Sequence, residues 1–244
     1  MITSHVRKRY KDFKFSWRFA AKALGFIVFI YLLTLAFNQF KTANYFAIKE
    51  VQVVGVHNSD QQAIQNLLMP LVNKSFFIID VDLIKERLLQ FPWVSTASVK
   101  RVWPGQVSIQ ITEKIPTARW NEQSLLSSAG EVFTPAAATF PMGLPQFVAP
   151  DGEQIHMLQY YAQLTRLLKP LNLKITRFAL SGAQSWDLTF DNGVKLNVGY
   201  KDILTRISHF VKVYPKIVGE RVNQVDYIDL RYSNGLAVHW KTIT

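Results

Sequence analysis

An uncharged run of eighteen residues, Ala23 to Phe40, lies near the start of the chain. As a helix rising about 1.5 Å per residue it is roughly 27 Å long, close to the hydrocarbon thickness of a bilayer. It predicts a membrane-spanning helix over 23–40. Before it stand Arg7, Lys8, Arg9, Lys11, Lys14, Arg18 and Lys22 against a single Asp12; shortly after it come only Lys41, Lys49 and Glu50. Lys and Arg favour the cytoplasmic side, so residues 1–22 are expected to form a basic cytoplasmic tail. Residues 45–244 are then expected beyond the membrane.

A cleaved signal peptide is the competing assignment. Its apolar core runs about 7–15 residues and ends in a small-x-small site. Here the run is longer, and Phe37-Asn38-Gln39-Phe40-Lys41 followed by Thr42-Ala43-Asn44 makes a poor cleavage site. An uncleaved anchor fits better.

The formal charge is +11, which invites a nucleic-acid assignment. Seven cations and one anion of that total lie in residues 1–22, where topology and anionic headgroups explain them. The remainder is diluted over the rest of the chain, so no nucleic-acid partner is expected. There is no cysteine. That excludes a disulfide framework and thiol chemistry, and it suits a bacterial periplasm.

Beyond the anchor the pattern divides in two. Ile48 to Gly55 reads as a strand. Asp60 and Asp80 are helix caps before stripes at Ile64, Leu67, Leu68, Leu71 and at Leu83, Ile84, Leu88, Phe91. Val94 to Val102 is a strand, Trp103-Pro104-Gly105-Gln106 a turn, and Val107, Ile109 and Ile111 alternate. The order is strand, helix, helix, strand, strand. From Pro116 on, short strands are expected at 118–120, 125–127 and 132–133, then a loop from Thr134 to Pro145. A helix follows with Ile155, Leu158, Tyr161, Ala162 and Leu168 on or near one face. Next come a strand over 173–180, a hairpin turning at Asp191-Asn192-Gly193, a helix striped by Ile203, Ile207 and Phe210, and a last hairpin. In that hairpin Ile228, Leu230 and Tyr232 alternate, Ser233-Asn234-Gly235 turns, and Leu236, Val238 and Trp240 return.

Catalytic signatures are missing. No G-x-S-x-G, H-E-x-x-H, phosphate-loop or S-x-x-K pattern occurs. The histidines, His5, His57, His156, His209 and His239, are scattered without metal-ligand spacing. Asp226 and Asp229 are three apart, which places them on opposite faces of a strand. No enzyme activity, cofactor or metal is expected.

Several motifs in order carry a resemblance. They are Phe91-Pro92-Trp93-Val94, Arg101, Trp103-Pro104, Glu113, Ala118-Arg119-Trp120-Asn121, Pro150-Asp151-Gly152, Ser185-Trp186-Asp187-Leu188, Asn192-Gly193 and Tyr227-Ile228-Asp229-Leu230-Arg231-Tyr232, then Gly235, Ala237-Val238 and Trp240. With the anchor, they resemble the bacterial cell-division family FtsQ/DivIB over nearly the whole chain. The resemblance implies an α+β fold: one N-terminal transmembrane helix, a POTRA domain (βααββ) over 45–114, and a mixed β domain with two helices over 115–244. It implies a non-catalytic divisome scaffold of the inner membrane, at the division septum, that holds the FtsB–FtsL pair.

The last strand follows all others and is expected at a sheet edge, where unpaired backbone groups accept a partner strand. With the resemblance, this makes Arg231, Tyr232, Ser233, Asn234, Gly235, Trp240 and Lys241 the candidate partner-binding residues. Tyr232 and Trp240 would be anchors, Gly235 would supply a positive φ, and Arg231 and Lys241 would meet acidic residues of the partner. Leu236 and Val238 are expected to face the core, and Trp93 and Trp103 to serve packing and turn geometry. Two positions depart from the family pattern: Asn234 stands where many relatives have serine, and Gln184 where a basic residue can contribute. The alternative is a membrane-tethered periplasmic enzyme or peptidoglycan-binding module, which a cluster of His156, His209 and carboxylates would favour.

Overall fold

In a computed structural model of the chain, residues 17–42, 46–232 and 235–241 are described. Helix α1 runs from Trp17 to Thr42, twenty-six residues. It is longer than the apolar run because Ala, Lys and Arg propagate a helix as well as Leu does. Its stretch Ala21–Asn38 is long and apolar enough to cross a membrane, and none of it is buried inside the protein. That exposure separates it from a soluble core helix and fits a transmembrane helix. The basic residues from Arg7 to Lys14 lie outside the described residues.

The first domain comprises β1 (Glu50–Val54), α2 (Gln61–Val72), α3 (Val81–Leu89), β2 (Val94–Val102) and β3 (Gln106–Glu113). Its three-stranded sheet has the order β1-β3-β2, with β1 parallel and β2 antiparallel to β3. The caps are as expected. Asp60 Oδ1 accepts from the N–H groups of Gln62 and Ala63 at 2.9 and 3.1 Å, and Asp80 Oδ1 from that of Leu83 at 2.9 Å. Ile64, Leu68, Ile84 and Leu88 of the helices close on Val107, Ile109 and Ile111 of β3. Each such side chain contributes about 1.5–3 kcal/mol when fully buried.

Glu113, the last residue of β3, fastens the loop before α2. Its carboxylate accepts from the backbone N–H of His57 at 3.1 Å, of Asn58 at 2.8 Å and of Ser59 at 2.8 Å. Partial burial works to raise its pKa, and the hydrogen bonds from Ser59, Asn58 and His57 outweigh it, lowering it from 4.5 to about 2.

The second domain holds β4 (Pro116–Trp120), β5 (Ser124–Ser127), β6 (Val132–Phe133), β7 (Gln146–Val148), α4 (Gln154–Leu168), β8 (Ile175–Leu180), β9 (Trp186–Phe190), β10 (Lys195–Gly199), α5 (Ile203–Ile217), β11 (Val225–Asp229) and β12 (Ala237–Trp240). One nine-stranded sheet joins them in the order β12-β11-β10-β9-β8-β7-β4-β5-β6. The pairings β10–β11, β4–β7 and β7–β8 are parallel and the rest antiparallel. The α+β class with its anchor, POTRA order and mixed sheet is as the sequence implied.

Two details differ from the sequence expectation. Strand β7 follows the predicted loop and was not foreseen; Phe147 in it is fully buried, 0% exposed, against Tyr161 and Phe178. The buried face of α4 is Met157, Leu164 and Leu168, whereas Ile155 is 51% exposed and Ala162 is also exposed. The expected stripe is thus kept at Leu168, which is buried, and at Leu158 and Tyr161, which pack against the core, while Met157 and Leu164 take the inward places expected of Ile155 and Ala162.

The domains are pinned by Trp93. Its ring, 3% exposed, lies 5.2 Å from that of Phe133 at 70°, in a small core with Leu125. The Lys114 N–H donates to the Trp93 carbonyl at 2.8 Å, and Lys114 Nζ reaches Glu131 at 3.4 Å.

Candidate partner-binding edge

Strand β12 lies at one end of the sheet order, so among the described residues no strand lies beyond it. Its inner side pairs with β11 in the register Asp229↔Ala237, Ile228↔Val238, Tyr227↔His239 and Val225↔Trp240, with an irregularity between Val225 and Tyr227. Ile228 and Leu230 are buried, and Leu236 and Val238 are half-buried against the same core. The last two face inward as expected from their alternation.

The aromatic candidates are available to solvent. Tyr232 is 59% and Trp240 41% exposed. Tyr232 stands in the connection after β11 and not on the strand. Trp240 shares the face of Val238 but sits at the rim of the sheet, where the Arg221 guanidinium covers its ring at 4.8 Å. The rings of Tyr227 and His239 stack across the strand pair at 4.0 Å.

The two cations are engaged within the chain. Arg231 grips the Asp229 carboxylate with two nitrogens, Nε–Oδ1 at 3.0 Å and Nη2–Oδ2 at 2.7 Å, and its N–H adds a third bond at 2.9 Å. The Asp229 side chain is 4% exposed and that of Arg231 62%, so the pair presents its positive end outward. The hydrogen bond from Arg231, opposed by burial, holds the Asp229 carboxyl below the usual carboxylate range. Lys241 donates from Nζ to the Asn223 carbonyl at 3.0 Å and from its N–H to that of Gln224 at 2.7 Å. Ser233 and Asn234 lie outside the described residues.

Gly235 differs from expectation. Its φ lies outside the left-handed region, and a Cβ built on it would meet nothing within 4 Å. The glycine is therefore not demanded by the fold of this chain. Beside it opens a groove of about 510 Å³ lined by Lys201, Arg206, His209, Leu230 and Tyr232 as well as Gly235. Arg206 Nη1 donates to the Val198 carbonyl, and Gly199, at φ +82°, lies between the side chains of Arg206 and Arg231. Lys201 and Arg206 thus line the groove together with one acid, Asp202. Sequence reasoning missed Lys201 and Arg206 because the α5 entry meets the β11–β12 connection only through the parallel β10–β11 pairing.

Asp226 and Asp229 are on opposite faces as expected, exposed and buried respectively. The nearer acid to Asp229 is Asp187, since both stand in register with Asn197 of β10. His156 accepts or donates one 2.8 Å bond with Glu153 and packs on Tyr160 and Trp186, while His209 lines the α5 groove. Among the described residues no group of three or more His, Cys, Asp or Glu is arranged to hold a metal. Gln184, at φ +59°, reaches Glu153 at 3.5 Å.

A membrane-type helix, a βααββ module and a mixed sheet ending in an open edge define a two-domain anchored protein. Residues 46–114 match the POTRA domain, FtsQ-type, and residues 118–231 match the family described as cell division protein FtsQ/DivIB, C-terminal. The chain is 31% identical to the cell division protein FtsQ of Coxiella burnetii, over 96% of this chain and 97% of that protein. It is 34% identical to FtsQ of Shewanella oneidensis, over 91% and 84%, and 33% identical to FtsQ of Escherichia coli K12, over 68% and 62%. The chain belongs to the FtsQ/DivIB family of cell division proteins.

Proposed function

We propose that this chain is a bitopic divisome scaffold of the bacterial inner membrane. Its N-terminal tail is cytoplasmic, and residues 45–244 are periplasmic at the division septum. There the β12 edge holds the FtsB–FtsL pair by accepting a strand from FtsB, linking early and late division proteins. Backbone bonds along β12 supply affinity, and Tyr232 and Trp240 supply side-chain anchors. The groove lined by Lys201 and Arg206, with Asp202 as its one acid, keeps a net positive charge that favours an acidic segment next to the added strand.

The observation that carries this reading is the open edge at β12, with exposed Tyr232 and Trp240 beside it. The test is co-purification of the full chain with the periplasmic segment of FtsB. Tyr232→Ala and Trp240→Ala are expected to abolish it while the membrane level stays normal. Gly235→Trp is the sharper variant: among the described residues nothing lies within 4 Å of a Cβ placed there, so the fold is expected to be kept and the partner displaced. Wild-type capture by all three variants would move the site away from β12.

A further inference from the structure

The membrane-proximal end of the first domain carries an exposed aromatic patch that the partner edge does not use. Phe46, Phe76, Phe77 and Trp103 form one cluster, with centroid separations from 5.1 Å (Phe46–Phe77) to 6.1 Å (Phe77–Trp103). Phe76 is buried, 7% exposed, and anchors the group. Phe46 is half-buried, while Trp103 at 61% and Phe77 at 50% open outward with the adjoining Ile78 at 47% and Val102 at 40% exposed. Backbone bonds hold the three contributing segments together, from Phe76 N–H to the Phe46 carbonyl at 2.8 Å and from Lys49 N–H to the Gly105 carbonyl at 2.8 Å. Packing of this kind fixes the patch as part of the domain surface.

What faces the patch follows from the chain. Three residues separate Thr42, the end of α1, from Phe46, itself a member of the cluster. Even fully extended at about 3.3–3.6 Å per residue, that link keeps Phe46 within roughly 15 Å of the helix end. The chain enters the domain at the patch, so the patch faces back along the tether. The segments 46–50, 74–78 and 100–105 also carry Lys49, Lys74, Lys100 and Arg101, all exposed, against the one acid Glu50. Arg101 Nη1 donates to the Phe77 carbonyl at 3.4 Å, which keeps cation and ring together. Amphipathic rings flanked by cations suit a headgroup layer, where tryptophan accumulates and anionic lipids attract Lys and Arg.

We propose that Phe46, Phe77, Ile78 and Trp103 form a foot that seats the first domain in the headgroup layer of the bilayer crossed by α1. Seating fixes the height and tilt of the domain, so that the far β12 edge is presented at a set distance from the membrane. The inference rests on α1 spanning the bilayer, and its test reads that premise separately.

The chain has no cysteine, so single cysteines can be placed at will. The full chain, one copy per lipid nanodisc, is labelled with an environment-sensitive fluorophore at Val102→Cys, Leu33→Cys or Met142→Cys. Nitroxide carried near the lipid headgroups and along the acyl chains is the quencher. Leu33 lies within α1, and Met142 is a solvent control at 98% exposure. The expected result is quenching at 33 and 102 but not at 142. The 102 signal should be lost in Phe77→Ala/Trp103→Ala while that at 33 persists. Quenching at 102 no greater than at 142, with 33 still quenched, overturns the foot and leaves the patch to a protein. No quenching at 33 overturns the foot together with the membrane-spanning reading.

Discussion

The indole N–H of Trp93 donates to the Thr139 hydroxyl at 3.0 Å, a bond made across the boundary between the two domains. Thr139 belongs to a short helical turn in the loop between β6 and β7, and its hydroxyl in turn donates to the Ala136 carbonyl at 2.7 Å. A residue from the first domain thus organises a loop of the second. The domains share one buried side chain and do not merely follow each other along the chain.

Trp93→Ala should therefore damage both domains at once. Emptying a buried tryptophan site costs about 3–5 kcal/mol. In urea the variant is expected to unfold at lower concentration and with a broader transition, as the coupling between domains is lost. Hydrogen exchange should rise around residues 125–140. Retention of the wild-type midpoint would show that the boundary is held by other contacts.

Glu113 gives the first domain a defined acid sensitivity. Its carboxyl is lowered from 4.5 to about 2. A depressed carboxyl adds stability that is full above the unfolded value and disappears as pH falls through the folded one. The melting temperature should accordingly decline between pH 4.5 and 2. Because the group is largely solvated, the contribution is discounted to about 1 kcal/mol. Glu113→Gln should lower stability at pH 7 and flatten the profile across that window. An unchanged profile in the variant would assign the acid sensitivity elsewhere.

Arg231 and Asp229 make a second, distinguishable case. In the wild type the depressed Asp229 carboxyl stabilises above the usual carboxylate range and loses that contribution as pH falls. Arg231→Ala removes the guanidinium and leaves the buried carboxylate only the residue-231 N–H of the three bonds described, at a cost of about 2 kcal/mol at neutral pH. Burial is then expected to outweigh that one bond and raise the carboxyl, so in this variant acidification should recover stability. Arg231→Lys keeps the charge but not the two-pronged geometry, and should fall between. Melting curves of the three proteins at pH 7 and 4 decide whether the sign reverses.

Leu236→Ala and Trp240→Ala should separate folding from binding on the same strand. Leu236 packs on the core and its truncation should lower stability by about 1–2 kcal/mol. Trp240 is exposed and loses the Arg221 contact, worth about 0.5–1 kcal/mol at an exposed site. Thermal melts together with capture of the FtsB segment should show stability loss mainly in the first variant and binding loss mainly in the second. The opposite partition would make Trp240 a core residue.

Local chemistry decided what the sequence disclosed. Asp60 and Asp80 announce their helices because a short carboxylate before an apolar stripe has few other uses. The β9–β10 hairpin is legible from its alternation and from Gly193 at φ +83°. Strand β7 was hidden, since Gln146-Phe147-Val148 is too short to show a period and owes its form to parallel neighbours distant in sequence. The edge position of β12 followed from its place at the end of the fold. The grip of Arg231 on Asp229 did not, because two charges two residues apart give no sign of which one is buried. Gly235 differs for a related reason: the turn pattern implies a positive φ, and the structure has an ordinary φ there with open space beside it among the described residues.

The three-residue β7 has a mechanical meaning. It holds the β4-β5-β6 side of the sheet to the β8–β12 side by only two register pairs with β4 and three with β8. Tension applied between the membrane anchor and the β12 edge runs across the sheet from β4 to β12, and the two-pair β4–β7 ladder is the shortest on that path. Under load the sheet is expected to part at this waist first, which makes β7 the place where pulling would separate its two halves.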